Sequence, residues 1–122
     1  IESIFTAEDA IGFQSLVRKV PVSDEVVRFA VQLTAATRPS DPSAPDFIKE
    51  WVSWGAGTRA AQGLVLASKA LALWNSRAHV TKEDIISLAH PILRHRILLN
   101  YRAEAEGQTV ETVIAKLLAA KS

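Results

Sequence analysis

The sequence predicts an all-α fold, a small helical bundle, on three observations. Ser, Thr or Asp recurs just ahead of successive amphipathic runs; apolar residues within those runs fall at helical spacing; and nothing alternates with period two for long enough to make a sheet. The 122 residues, 48% of them hydrophobic, suit one domain spanning 1–122 with a single core. About six to eight helices are expected.

The first run, residues 7–17, opens at Thr6 with Asp9 three residues on, a pattern in which side chains satisfy amides that the first turn leaves unpaired. Ser23, followed by Asp24 and Glu25, starts the next, where Val26, Ala30 and Leu33 form a buried stripe flanked by Val27, Val31 and Thr34. Residues 38–45 read Arg-Pro-Ser-Asp-Pro-Ser-Ala-Pro and cannot remain helical, so they form a loop within the domain. Asp46 opens a short run over 47–54. Residues 59–77 make the central helix, with Ala60, Leu64, Ala67, Leu71 and Trp74 on one stripe and further apolar residues around it. A tight turn at 75–78 leads to Thr81, with Asp84 three residues on, and to runs over 82–89 and 92–99. Gly107 ends a helix that contains 103–106, and Thr109 starts the last run, 110–118.

The 14 Lys and Arg against 13 Asp and Glu leave a formal net charge of +1, so no long-range field recruits nucleic acid or an anionic membrane. Without cysteine there is neither a disulfide framework nor thiolate chemistry, and three scattered histidines give no metal site. No apolar stretch approaches the roughly 20 residues that a membrane helix needs. A chain that begins Ile1-Glu2 and holds no methionine reads as a piece of a longer one, and cytoplasmic residence is compatible with this composition.

Catalytic motifs are absent: there is no phosphate loop, no strand ending in paired acids for magnesium, no metal helix and no nucleophile elbow. The chain by itself is not expected to hydrolyse anything. What stands out is Gly55-Ala56-Gly57 feeding the central helix, with Thr58 read as its N-cap and Arg59 in its first turn. A cation there opposes the helix dipole at a cost of about 0.3–1 kcal/mol unless an anion compensates it. Free amides, a glycine turn that permits close approach and a guanidinium that can grip phosphate describe an anion site. The plainer alternative is that Arg59 points into solvent.

Several spaced motifs sharpen this. Val20-Pro21-Val22-Ser23-Asp24, Thr37-Arg38-Pro39, the stretch Trp51-Val52-Ser53-Trp54-Gly55-Ala56-Gly57-Thr58-Arg59-Ala60, His79-Val80-Thr81-Lys82-Glu83-Asp84 and Leu93-Arg94-His95-Arg96-Ile97 occur in that order. Together they resemble the C-terminal lid subdomain of MoxR-family AAA+ ATPases, from about Leu16 onward. The resemblance implies that Arg59 is the sensor-2 arginine, with Gly57 and Thr58 beside it at the nucleotide. It further implies ATP and Mg2+ held by an AAA+ core upstream of this chain, a homo-oligomeric ring, expected to be a hexamer, and a client or adaptor protein remodelled in a chaperone-like cycle. The isolated lid is expected to carry no cofactor. The family frequently has proline just before this arginine where the present chain has Thr58, which alters how the turn is fixed and leaves the arginine in place.

Arg94-His95-Arg96 form a second basic cluster. They line a solvated helix edge or, as the resemblance implies, a subunit or core contact, as does Arg38, which can equally close a helix C-terminus. Trp51, Trp54 and Trp74 read as core or subdomain-packing residues rather than a base-stacking platform. A competing reading is an independent helical DNA-binding or protein-interaction module; its DNA-binding form, a helix-turn-helix using Arg94, Arg96 and Arg102, sits poorly with the near-neutral charge.

Overall fold

The computed structural model describes residues 6–121; Ile1 and Glu2, which entered the reading of the chain's start, lie outside the described residues. Among the described residues there are seven helices and one two-stranded sheet: α1 Ala7–Lys19, α2 Asp24–Ala35, α3 Asp46–Trp51, β1 Val52–Trp54, α4 Thr58–Trp74, α5 Lys82–Leu93, β2 Leu98–Leu99, α6 Tyr101–Ala105 and α7 Val110–Lys121. The all-helical class holds, and the sheet is the departure from it.

Local chemistry explains most helix ends. Thr6 and Asp9 exchange side-chain and backbone bonds at 3.1 and 3.0 Å, a complete capping box ahead of α1. Ser23 accepts from the Val26 amide at 3.3 Å, the Asp84 carboxylate accepts from the Thr81 amide at 2.9 Å, and Thr109 accepts from the Thr112 amide at 3.1 Å. Gly107, at φ 74, turns the chain out of α6 as expected: the amides of Gly107 and Gln108 bond back to the carbonyls of Glu104 and Ala103. Asp46 departs from expectation. Pro45 occupies the cap position without a side-chain acceptor, and Asp46 is the first helical residue, where its charge still suits the dipole.

Three predicted helices are cut short, the central one ending at Trp74 rather than at 77 because the chain turns through Ser76 at φ 57. The run over 47–54 is helical only to Trp51, and the run over 92–99 is divided, because α5 continues through Pro91 to Leu93 and the chain then turns into β2. β1 and β2 pair antiparallel, Val52 opposite Leu99 and Trp54 opposite Leu98, with an irregularity between. The Asn100 amide bonds Trp51 O at 2.8 Å, and its side chain reaches Glu50 O at 2.7 Å, which ties this ladder to α3.

The core runs through Leu33, Ile48, Leu64, Ile85, Leu93, Ile114 and Leu117, all fully buried, with α4 packed most extensively on α5 and α2. Burying such side chains is the main drive to fold, roughly 1.5–3 kcal/mol each relative to exposure. α1 lies against α4 and buries only Val17. Trp51 is in the core, but Trp54 and Trp74 are 72% and 73% exposed, so the core reading is corrected for those two. Trp74 ends a helix with apolar residues nearly all round, some of which must face outward, and Trp54 lies on β1 rather than on a helix.

Candidate functional site around the 55–57 turn

The site is built where the end of α2 meets the start of α4. Past α2, the Thr37 hydroxyl donates to Thr34 O at 2.6 Å and accepts from the Ala56 amide at 2.8 Å. Arg38 Nη1 donates to the Ala56 carbonyl at 3.1 Å, while its other terminal nitrogen lies 3.7 Å from Asp41. The Asp41 carboxyl is held below its ordinary range, first by the hydroxyl and amide of Ser43 and to a lesser extent by Arg38. Arg38 therefore neither caps α2 nor projects freely from the loop; it ties the loop to the turn.

Gly55 makes this approach possible. A Cβ there would lie 2.3 Å from Thr37 O, too close for any other residue without a backbone shift. Gly57 then takes the N-cap position of α4 with no side-chain cap, and Thr58 is the first helical residue. The expected Thr58 cap is thus corrected. A residue that already has helical dihedrals cannot aim its hydroxyl back at the second and third amides, so the first turn of α4 keeps its amides outside any side-chain cap.

Arg59 follows, exposed, and makes no hydrogen bond or ion pair among the described residues. Two clefts flank the turn and share Trp54, Gly55 and Gly57. One, about 380 Å³, is walled by Arg38, Pro39 and Ser40; the other, about 460 Å³, by His95, Arg96, Ile97 and Leu98. The structure thus brings Gly57, Arg38, His95 and Arg96 to the walls of these clefts, while Thr58 and Arg59 follow next along the chain and line neither. Arg94 is directed elsewhere, 3.9 Å from Glu111, which also meets His90 Nδ1 at 3.0 Å. Arg102 pairs with Glu50 and Glu106, so Arg94, Arg96 and Arg102 do not form the continuous free face that a DNA-binding helix would need.

The arrangement fits phosphate oxygens: a guanidinium unpaired among the described residues, a helix start without a side-chain cap, and a Gly57 whose Cβ position is open to 4 Å. It does not fit a divalent metal, since no group of three His, Asp or Glu side chains able to hold one occurs among the described residues. The sequence did not disclose the Thr37 and Arg38 hold on Ala56, or that Trp54 stands at the rim of both clefts. The adjacency of Thr37, Arg38 and Pro39 was visible, but nothing local links it to a turn eighteen residues on.

The helical architecture is that of an AAA lid domain, as comparison with known proteins shows. A family model described as the AAA lid domain matches residues 47–117, more than half the chain. Chaperone MoxR1 of Mycobacterium tuberculosis is 32% identical over 117 residues, covering 96% of this chain and 31% of the relative. The uncharacterised protein YeaC of Bacillus subtilis is 30% identical over 120 residues, covering 98% and 35%. A crystal structure from Cytophaga hutchinsonii, provisionally described as an ATPase, superposes with a TM-score of 0.86 at 36% identity, over 94% of this chain and 34% of that one. The chain belongs to the AAA lid domain family, as a lid subdomain of the MoxR type. It spans about a third of the length of the curated relatives it matches.

Proposed function

We propose that this lid couples ATP binding and hydrolysis in a MoxR-type ATPase to domain motion, with Arg59 as its sensor-2 residue. The observation that carries the reading is the position of Arg59, an exposed cation without a partner among the described residues, on an uncapped first helical turn. A cation is unfavourable there until an anion arrives. ATP with Mg2+, held by an AAA+ core outside this chain, supplies the phosphoryl group. Arg59 contributes guanidinium donors to its oxygens and stabilises the charge that develops on them. Gly57 and Thr58 let the phosphates approach the helix amides. Once the terminal phosphate is gone that contact weakens, and the lid is released to move.

The whole chain, 1–122, acts in this reading as one lid unit. Arg38, His95 and Arg96 border clefts that face a core or a neighbouring subunit of a homo-oligomeric ring, a hexamer in our reading; Arg94 joins that contact only by leaving Glu111. The name of the M. tuberculosis relative, a chaperone, supports remodelling or maturation of a client protein, with an adaptor delivering it. No described helix is long and apolar enough to cross a membrane, which accords with work in the cytoplasm.

The decisive experiment is Arg59→Ala in the full-length ATPase. Turnover is expected to fall by about 10²-fold, the scale of losing one preorganised donor to a developing oxyanion. Undiminished turnover removes the reading.

A further inference from the structure

We infer that Thr37 and Arg38 are positioning residues for Arg59, an inference that rests on the sensor reading above. Ala56 is buried, and both peptide planes that flank it are held: its amide by the Thr37 hydroxyl at 2.8 Å, its carbonyl by Arg38 Nη1 at 3.1 Å. The same hydroxyl donates to Thr34 O at 2.6 Å, so one fully buried group joins the end of α2 to the turn and has no water to substitute for either bond. Gly55 closes the contact by lying against the Thr37 carbonyl.

The residues on either side of Ala56 are glycines, whose backbone is the most permissive of any. Without the hold on Ala56, this segment could adopt other turns and re-aim the first turn of α4. The rest of α4 is independently anchored, because Ala60, Leu64 and Ala72 are fully buried along it. The clamp therefore governs the approach of Arg59 rather than the existence of the helix. Catalysis by a positioned donor is steep in geometry, a misplacement of about 1 Å costing up to about 10²-fold. Thr37 and Arg38, through their bonds to Ala56, then set how well Arg59 works.

The test uses the full-length ATPase with Thr37→Val, which keeps the shape and removes the hydroxyl, alongside Thr37→Ser, Arg59→Ala and the Thr37→Val/Arg59→Ala pair. Thr37→Val is expected to lower kcat about ten-fold, Thr37→Ser to restore it, and the pair to be no slower than Arg59→Ala alone, because a misaimed arginine cannot be lost twice. A core variant such as Ile114→Val, chosen to match the loss in melting temperature, is expected to leave kcat unchanged. If Thr37→Val does not fold, Arg38→Gln carries the same comparison, since that side chain is 36% exposed. A Thr37→Val kcat within about two-fold of wild type overturns the inference, as does full multiplication of the two losses in the pair or an equal kcat loss in Ile114→Val. Those results leave the sensor reading standing if Arg59→Ala is slow. Arg59→Ala at wild-type speed overturns the sensor reading and this inference with it.

Discussion

Arg77 grips both oxygens of the Asp84 carboxylate, with Nη1 2.7 Å from Oδ2, and so locks the turn after α4 to the first turn of α5. The backbone needs that lock. Ser76 adopts φ 57, an uncommon conformation for a residue with a side chain, before Arg77 bonds back to Ala72 O at 2.8 Å. Asp84 is 4% exposed, and its carboxyl is held below the ordinary range chiefly by Arg77, with burial opposing and the Thr81 amide assisting.

Asp84→Asn is accordingly expected to lower unfolding stability by about 1–3 kcal/mol at neutral pH, read from urea titrations. Because the folded state lowers this pKa, the stabilisation is complete above the unfolded-chain value of about 3.9 and is lost as pH falls through the folded value below it. The gap between wild type and variant should therefore close under acid conditions. A gap of constant size down to about pH 2 would show that the charge is not the source.

Gly55→Ala and Gly57→Ala should behave oppositely although they sit two residues apart. The first drives a methyl to within 2.3 Å of Thr37 O and should cost about 1–3 kcal/mol, while the second meets nothing within 4 Å at φ −92. Gly57→Ala is expected to be neutral or to stabilise by up to about 1 kcal/mol through the unfolded chain. Thermal melts of the two variants make the comparison, and equal losses would deny the close approach.

Ser68 carries a buried hydroxyl, in the middle of α4, that has no hydrogen-bond partner among the described residues. Burying an unsatisfied polar group is costly, and alanine is the better helix former. Ser68→Ala should raise stability by about 1 kcal/mol, visible as a higher denaturation midpoint with an unchanged slope. A lower midpoint would mean that the hydroxyl has a partner after all.

The three tryptophans divide by environment. Trp51 is buried, donates to Glu106 and lies under the Lys116 ammonium at 4.4 Å, whereas Trp54 and Trp74 face solvent. Acrylamide should quench a variant that retains only Trp54 or only Trp74 strongly, and one that retains only Trp51 weakly. Equal quenching of all three would contradict this core.

Much of this was legible because it is local. Thr6 with Asp9, Ser23, Thr109 and Gly107 each act on residues within a turn of themselves, so spacing alone reveals them. Thr58 misled for a related reason: a hydroxyl just before an apolar run looks like a cap, and whether the helix starts at it or after it depends on dihedrals that spacing does not carry. The strands escaped notice because segments of two and three residues are too short to show a period, and their pairing joins Val52 to Leu99 across the whole α4 and α5 hairpin. At the candidate site, the ordered motifs single out Arg59 as a candidate, while the hold of Thr37 and Arg38 on Ala56 is a contact between distant residues that only folding brings together. Trp54 and Trp74 looked like core because helical periodicity reports which face is apolar and not what covers it.

One consequence of α4 is mechanical. Its 17 residues make a rod about 25 Å long, running from the glycine turn beside Arg59 to the exposed indole of Trp74. With α5 packed along it and Arg77 bolted to Asp84, the pair is stiff against bending. If the lid turns as one body about the glycine turn, as the proposed function has it, a rotation of about 10° would sweep Trp74 through about 4 Å, a side-chain-sized stroke at the opposite pole of the bundle.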